Sequence, residues 1–103
     1  MAVELAAGRP VVATATRYLL QMLADAAPGH TVEVRVPPFG AVQCVEGPRH
    51  TRGTPPNVVE MVPAVWVAVA RGFIGWREAV EAGVIHASGQ RADLGSLLPL
   101  PGL

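Results

Sequence analysis

Glycine and proline constrain the folding of this chain most strongly: 11 glycines and 10 prolines make up 21 of its 103 residues, and they fall in clusters. Proline lacks an amide hydrogen and glycine adopts left-handed backbone angles, so such clusters end helices and strands and form turns. The chain is therefore expected to form short helices and strands around one core. Its length excludes two separate domains, and we expect a single domain over residues 1–103, with residues 1–9 flexible.

The balance of charges excludes several classes of protein. Eight arginines offset eight carboxylates, and lysine is absent. A chain without net charge lacks the basic surface with which proteins bind nucleic acid, and we expect no nucleic-acid partner. The single cysteine cannot form an internal disulfide, which indicates a reduced, cytoplasmic setting. We expect no signal peptide, and the apolar stretch from Met61 to Ala70 is too short for a transmembrane segment.

The first half of the sequence predicts one helix and one hairpin. Apolar residues recur at helical spacing from Pro10 to Ala27, with polar residues between them. Residues His30 to Val36 alternate between valine and polar side chains, which is typical of a half-buried strand. A second strand is expected at Gly40–Glu46, after a proline-rich turn. The segment from Gly47 to Pro56 has no periodicity and predicts a long loop.

The second half predicts a strand, two helices, a strand and a final helix. In order, these are Asn57–Met61, Pro63 to Arg71-Gly72, Gly75–Ala82, Val84–Ala87, and a short helix capped by Asp93 that carries Leu94, Leu97 and Leu98. Strands flanked by helices in this order predict an α/β protein of the α+β type. We expect a small, mainly antiparallel sheet with helices packed on one face.

Two groups of residues suggest chemistry in the middle of the chain. Cys44 and His50 could act as nucleophile and base if they lie in contact, although a cysteine in an apolar strand is more often a buried hydrophobic residue. The loop residues Arg49, His50 and Arg52 could bind a phosphate or carboxylate head group. Alternatively, the two arginines fix the loop to acidic residues or backbone carbonyls.

The aromatic residues suggest an apolar site. Trp66, Phe73, Ile74 and Trp76 lie within eleven residues, where they could line a ligand cavity or form ordinary core. No metal site is expected, because His30 and His86 have no carboxylate or cysteine neighbours at ligand spacing. No cofactor is expected either.

Three consecutive segments resemble the sterol carrier protein family. VVEMVPAVWVAVARG (Val58–Gly72) is similar to that family's strand and following helix, GWREAVEAG (Gly75–Gly83) to its short helix, and VIHASGQRADL (Val84–Leu94) to its last strand, turn and closing helix. Together with the segment from Val32 to Glu60, they resemble small actinobacterial proteins of this family. In longer chains, the same domain follows a helical domain of the mycothiol-dependent isomerase type.

The resemblance implies helices that cover one face of a sheet, and an apolar tunnel between them for sterols, fatty acyl chains or phospholipids. We therefore expect a non-enzymatic domain that binds a lipid or another apolar ligand. Its site would comprise Trp66, Phe73, Ile74 and Trp76 as walls and Phe39 at the rim, with Arg49, His50 and Arg52 near an acidic head group.

The helical domain that precedes this domain in longer chains suggests an alternative function. The chain would then be an accessory domain of a thiol-dependent enzyme, with the loop 47–56 as its docking surface. Exposed apolar helices could also be buried in a homodimer.

Overall fold

A computed structural model describes residues 8–47 and 57–102. The described chain forms three helices and four strands. In chain order, the elements are α1 (Arg9–Ala26), β1 (Val32–Val36), β2 (Gly40–Cys44), β3 (Asn57–Glu60), α2 (Pro63–Arg71), α3 (Trp76–Glu81) and β4 (His86–Ser88). Pro10 and Pro63 lie in the first turns of α1 and α2, where a missing amide hydrogen removes no helical hydrogen bond. Gly72 ends α2 with a φ of 83°, a left-handed angle that glycine adopts without strain.

The four strands form one sheet in the order β2-β1-β3-β4. β1 pairs antiparallel with β2, and Val34 lies opposite Val42. β1 also pairs with β3, in parallel, and places Val34 beside Val59. β3 and β4 are antiparallel, with Val59 opposite Ala87. The sheet is thus mixed, with two antiparallel pairs and one parallel pair.

The alternation in β1 divides the sheet into two faces. Val32, Val34 and Val36 are fully buried and pack with α1 and α2. Trp66 is the largest fully buried side chain, and it belongs to the same core. Its indole N–H donates to the backbone oxygen of Thr16 over 3.2 Å, which holds α2 beside α1. The predicted α+β class, with helices packed on a small sheet, is therefore confirmed.

The opposite face of the sheet is polar. Glu33 and Arg35 form an ion pair on this face of β1, at 2.9 Å. The register continues the polar row from Arg35 to Glu60 on β3 and His86 on β4. His86 is exposed and Glu60 is half-buried. In the described part of the chain, no helix is long and apolar enough to cross a membrane.

A buried asparagine fixes one end of the sheet. Asn57 is 4 % exposed and begins β3. Its side-chain amide donates to the backbone oxygen of Thr31 over 3.0 Å, and its side-chain oxygen accepts from the backbone N–H of Arg91 over 2.8 Å. One side chain therefore joins the start of β1, the start of β3 and the turn after β4.

The C-terminal segment differs from the prediction of a final helix. Asp93 caps a turn instead, by accepting a hydrogen bond from the backbone N–H of Gly95 over 2.8 Å. Glycine disfavours helix at residue 95, and Pro99 ends the turn soon after it. The backbone N–H of Leu100 then donates to the oxygen of Ala70, so the segment packs against α2.

The last strand also lies later than predicted, at His86–Ser88 instead of Val84–Ala87. The reason is that Ile85 is buried in the core, whereas Val84 belongs to the turn that leaves α3.

Candidate functional site

An apolar groove lies where the starts of the two longer helices meet the turn between β1 and β2. Its volume is about 310 Å³, near the lower end of the ~300–1,000 Å³ range that small-molecule sites occupy. The lining residues come from three separate segments: Gly8, Arg9 and Val12; Pro38 and Phe39; and Val62, Pro63 and Ala64. Such a site forms only when the helices pack side by side.

The local sequence explains why the groove is apolar and open. Val62 precedes α2 as its N-cap residue and provides no side-chain cap. It is 57 % exposed and contributes its apolar side chain to the lining of the groove. Pro63 and Ala64 follow with small side chains that leave space above them. The groove thus has an apolar wall on α2 that nothing covers in the described part of the chain.

Among the described residues that line the groove, Arg9 supplies the only charge. The Arg9 guanidinium lies 5.2 Å from the centroid of the Phe39 ring, a distance at which a cation and an aromatic face attract. Phe39 is held in turn by a backbone hydrogen bond to Val36 and by Arg17, which donates to the Phe39 oxygen over 3.5 Å. A cation at the mouth of an apolar groove suits a ligand with an acidic head and an apolar body.

Of the five apolar residues predicted for the site, only Phe39 lines this groove. Trp66 is fully buried, whereas Phe73 is 61 % exposed beneath the guanidinium of Arg71. Ile74 and Trp76 are half-buried against the core. These four residues therefore extend from the core to the surface, and none of them lines this groove.

The predicted head-group residues Arg49, His50 and Arg52 lie outside the described residues. The same holds for the proposed docking loop 47–56, apart from Gly47.

Cys44 occupies a position unsuited to nucleophilic chemistry. It is fully buried in the core at the end of β2. Burial raises the pKa of its thiol from 9.0 to about 11. The thiol is therefore protonated at neutral pH and out of reach of a substrate. A mechanism with Cys44 as the nucleophile conflicts with both properties.

Three of the residues that line the groove were not among the predicted site residues: Arg9, Val12 and Val62. The sequence shows a valine directly before a helix-starting proline, but nothing in it placed this valine beside residue 9 or residue 39. No group of three or more metal-binding side chains occurs among the described residues.

Comparison with known families identifies the class of protein. A family model described as a bacterial SCP ortholog matches residues 8–100, which span the whole described fold from α1 to the C-terminal turns. The chain is thus a domain of the sterol carrier protein (SCP) class. Within that class it belongs to the family of bacterial SCP orthologues. No curated protein matches the chain.

Proposed function

We propose that the chain is a non-enzymatic domain that binds a lipid or a similar apolar molecule with an acidic head group, such as a fatty acid. The observation that carries this proposal is the groove between α1, the β1–β2 turn and α2, which has apolar walls and the cation of Arg9. Membership of the SCP family supports the same class of ligand.

The groove favours one extended chain over a bulky ring system. It is open to solvent and has a volume of about 310 Å³. Val62 and Phe39 would contact the hydrocarbon part from opposite walls. Arg9 would lie near the carboxylate, where a charge-assisted hydrogen bond contributes roughly 1.5–3 kcal/mol.

The four residues predicted as walls of the site do not line this groove, and they have different surroundings. Trp66 is packed and hydrogen-bonded to α1, so a tunnel through this position would require the helices to separate. Phe73, Ile74 and Trp76 are accessible in part, and they remain a second place at which an apolar ligand could bind.

Binding can be measured by titrating the protein with a fluorescent fatty acid and displacing it with unlabelled fatty acids. Val62→Glu introduces a charge into the apolar wall of the groove, and we expect it to weaken binding about tenfold or more. Val84→Glu is the matched control, because Val84 is also exposed but lies outside the groove. Equal affinity of both variants would contradict the proposed groove.

The role of Arg9 needs a separate comparison. Arg9→Gln removes the charge and keeps a polar, shorter side chain. It should weaken the binding of a fatty acid and leave the affinity for the corresponding fatty alcohol almost unchanged. An equal loss for both ligands would show that Arg9 acts by packing and not by charge.

A further inference from the structure

The outer edge of the sheet at β2 is suited to pair with another strand. In the described part of the chain, β1 is the only neighbour of β2. Proteins usually protect such edges with charged residues, proline or a bulge. The five residues of β2, GAVQC, contain no charge and no proline, and they pair with β1 in regular register.

Backbone geometry shows which residues of β2 face outward. The backbone N–H of Met61 donates to the oxygen of Arg35, so Arg35 directs its backbone groups toward β3. Adjacent residues of a strand alternate in this direction, and Val34 and Val36 therefore bond to β2. Their partners Val42 and Gly40 bond inward to β1. The backbone N–H and C=O groups of Ala41 and Gln43 consequently point away from the sheet.

This pattern is self-complementary under a two-fold axis. If β2 of two copies pair antiparallel about Val42, Ala41 of each copy faces Gln43 of the other. Each such pair can exchange two backbone hydrogen bonds, which gives four in all. An isologous interface needs one patch that matches itself, and β2 meets this condition.

The helix beside this edge adds charge complementarity. Arg17, Gln21 and Asp25 follow each other at four-residue spacing, so they share one exposed face of α1. That face lies beside β2, since Arg17 reaches the backbone oxygen of Phe39 at the start of the hairpin. α2 contacts α1 elsewhere, through Trp66 and Thr16.

The position of the axis along α1 follows from two contacts. Gly40 lies against Arg17 and Leu20, whereas the N–H of Val45 donates to the oxygen of Ala27 over 2.7 Å. α1 and β2 therefore run in the same direction, and Val42 lies level with Gln21. A two-fold axis at Val42 places Arg17 of each copy opposite Asp25 of the other.

We propose that the chain forms a symmetric homodimer through β2, with the two α1 helices antiparallel beside each other. The partner surface is a second copy of this chain, and the dimer joins two four-stranded sheets into one. The apolar groove lies on the side of α1 nearer to α2, so both grooves stay open in the dimer.

Sedimentation velocity over a concentration series tests the proposal by charge reversal. Arg17→Asp and Asp25→Arg each place like charges opposite one another, and each should weaken dimerisation by about tenfold or more. The double variant restores opposite charges and should restore the dimer. All three variants change exposed residues, and circular dichroism verifies that they fold.

The edge itself is tested with Gln43→Pro and with hydrogen exchange. The proline removes an outward N–H and leaves the bonds to β1 in place, so the variant should be a folded monomer. In the wild-type dimer, the amides of Ala41 and Gln43 should exchange more slowly as concentration rises, while β4 at the other edge is unaffected. A wild-type protein that is monomeric at every concentration overturns the proposal. So does a dimer that survives both the single charge reversals and Gln43→Pro.

Discussion

The thiol of Cys44 should make stability depend on pH in the alkaline range. In the unfolded chain the thiol ionises near its ordinary pKa of 9.0, whereas in the folded protein burial raises the pKa to about 11. The folded state therefore binds more protons than the unfolded state between these values, and its stability falls as pH rises. The contribution is complete below about pH 9 and is lost by about pH 11.

Urea denaturation at pH 8, 9, 10 and 11 measures this effect against Cys44→Ala. The variant is less stable throughout because it leaves a cavity, but it lacks the thiol. We expect the wild-type free energy of unfolding to lose up to about 2 kcal/mol more than that of the variant over this range. Parallel pH profiles would show that Cys44 is not buried in solution. The other ionisable side chains are the same in both proteins, so the comparison isolates the thiol.

Thr16 carries a polar group that lacks a hydrogen-bond partner in the described structure. Its side chain is fully buried between α1 and the core, and its hydroxyl makes no hydrogen bond in the described structure. A buried hydroxyl without a partner costs about 1–3 kcal/mol relative to one in water. Thr16→Val keeps the shape and removes that cost, so the free energy of unfolding should rise by about 1 kcal/mol.

Chemical denaturation of Thr16→Val and Thr16→Ser separates the effect of the hydroxyl group from that of the methyl group. The serine keeps the hydroxyl and loses a methyl group, and it should destabilise the protein. A valine variant less stable than the wild type would show that the hydroxyl has a partner in solution, such as a bound water molecule.

The connection between α1 and the hairpin depends on one glycine. Gly29 has a φ of 148°, and a Cβ atom there would lie 2.0 Å from the backbone oxygen of Val45. Backbone cannot move as a side-chain end can, so Gly29→Ala should separate α1 from β2. We expect a loss of about 2 kcal/mol or more in the free energy of unfolding.

Gly75→Ala is the matched control for this substitution. A Cβ atom at Gly75 would meet nothing within 4 Å, and its φ of −77° suits any residue. The alanine reduces the freedom of the unfolded chain but is a poorer N-cap residue for α3, so the variant should stay within about 1 kcal/mol of the wild type. Thermal melting of both variants measures the difference in stability between them. An equal loss of stability in both would contradict the steric clash expected at residue 29.

At the scale of elements, sequence patterns predicted what is local and missed what depends on tertiary contacts. α1 and the hairpin were predicted to within a few residues, because the periodicity and the flanking prolines determine them. The prediction of a final helix was wrong, because Asp93 can cap a turn as well as a helix. In addition, the segment is held by a hydrogen bond from Leu100 to Ala70, two residues that are thirty positions apart in the sequence. No local sequence pattern predicted that β1 and β3 pair in parallel.

At the scale of the whole molecule, the candidate site likewise depends on tertiary contacts that the sequence does not reveal. Phe39 was predicted at the rim of an apolar site and lines this groove, but Arg9 and Val62 come from segments that meet only in the folded chain. The predicted aromatic wall residues differ in their surroundings, since Trp66 is buried in the core and Phe73 faces solvent. The family resemblance identified the class of protein correctly.

Ligand binding should raise the stability of the whole molecule if the groove belongs to the folded state alone. A ligand at a hundred times its Kd adds about 2.7 kcal/mol to the free energy of unfolding when the unfolded chain does not bind it. For a domain of this size, each kcal/mol raises Tm by roughly 4–8 °C, so saturating fatty acid should raise Tm by about 10 °C or more. The rise should grow with the logarithm of ligand concentration above Kd.

Calorimetry of the wild type and of Val62→Glu measures this linkage. The variant should melt near the wild-type temperature without ligand, because Val62 is exposed, and it should gain little when fatty acid is added. Detergent-like binding to the unfolded chain would instead lower Tm in both proteins. A rise of equal size in both would mean that the ligand stabilises the fold from a place other than the groove, with the partly exposed Phe73, Ile74 and Trp76 as the next residues to substitute.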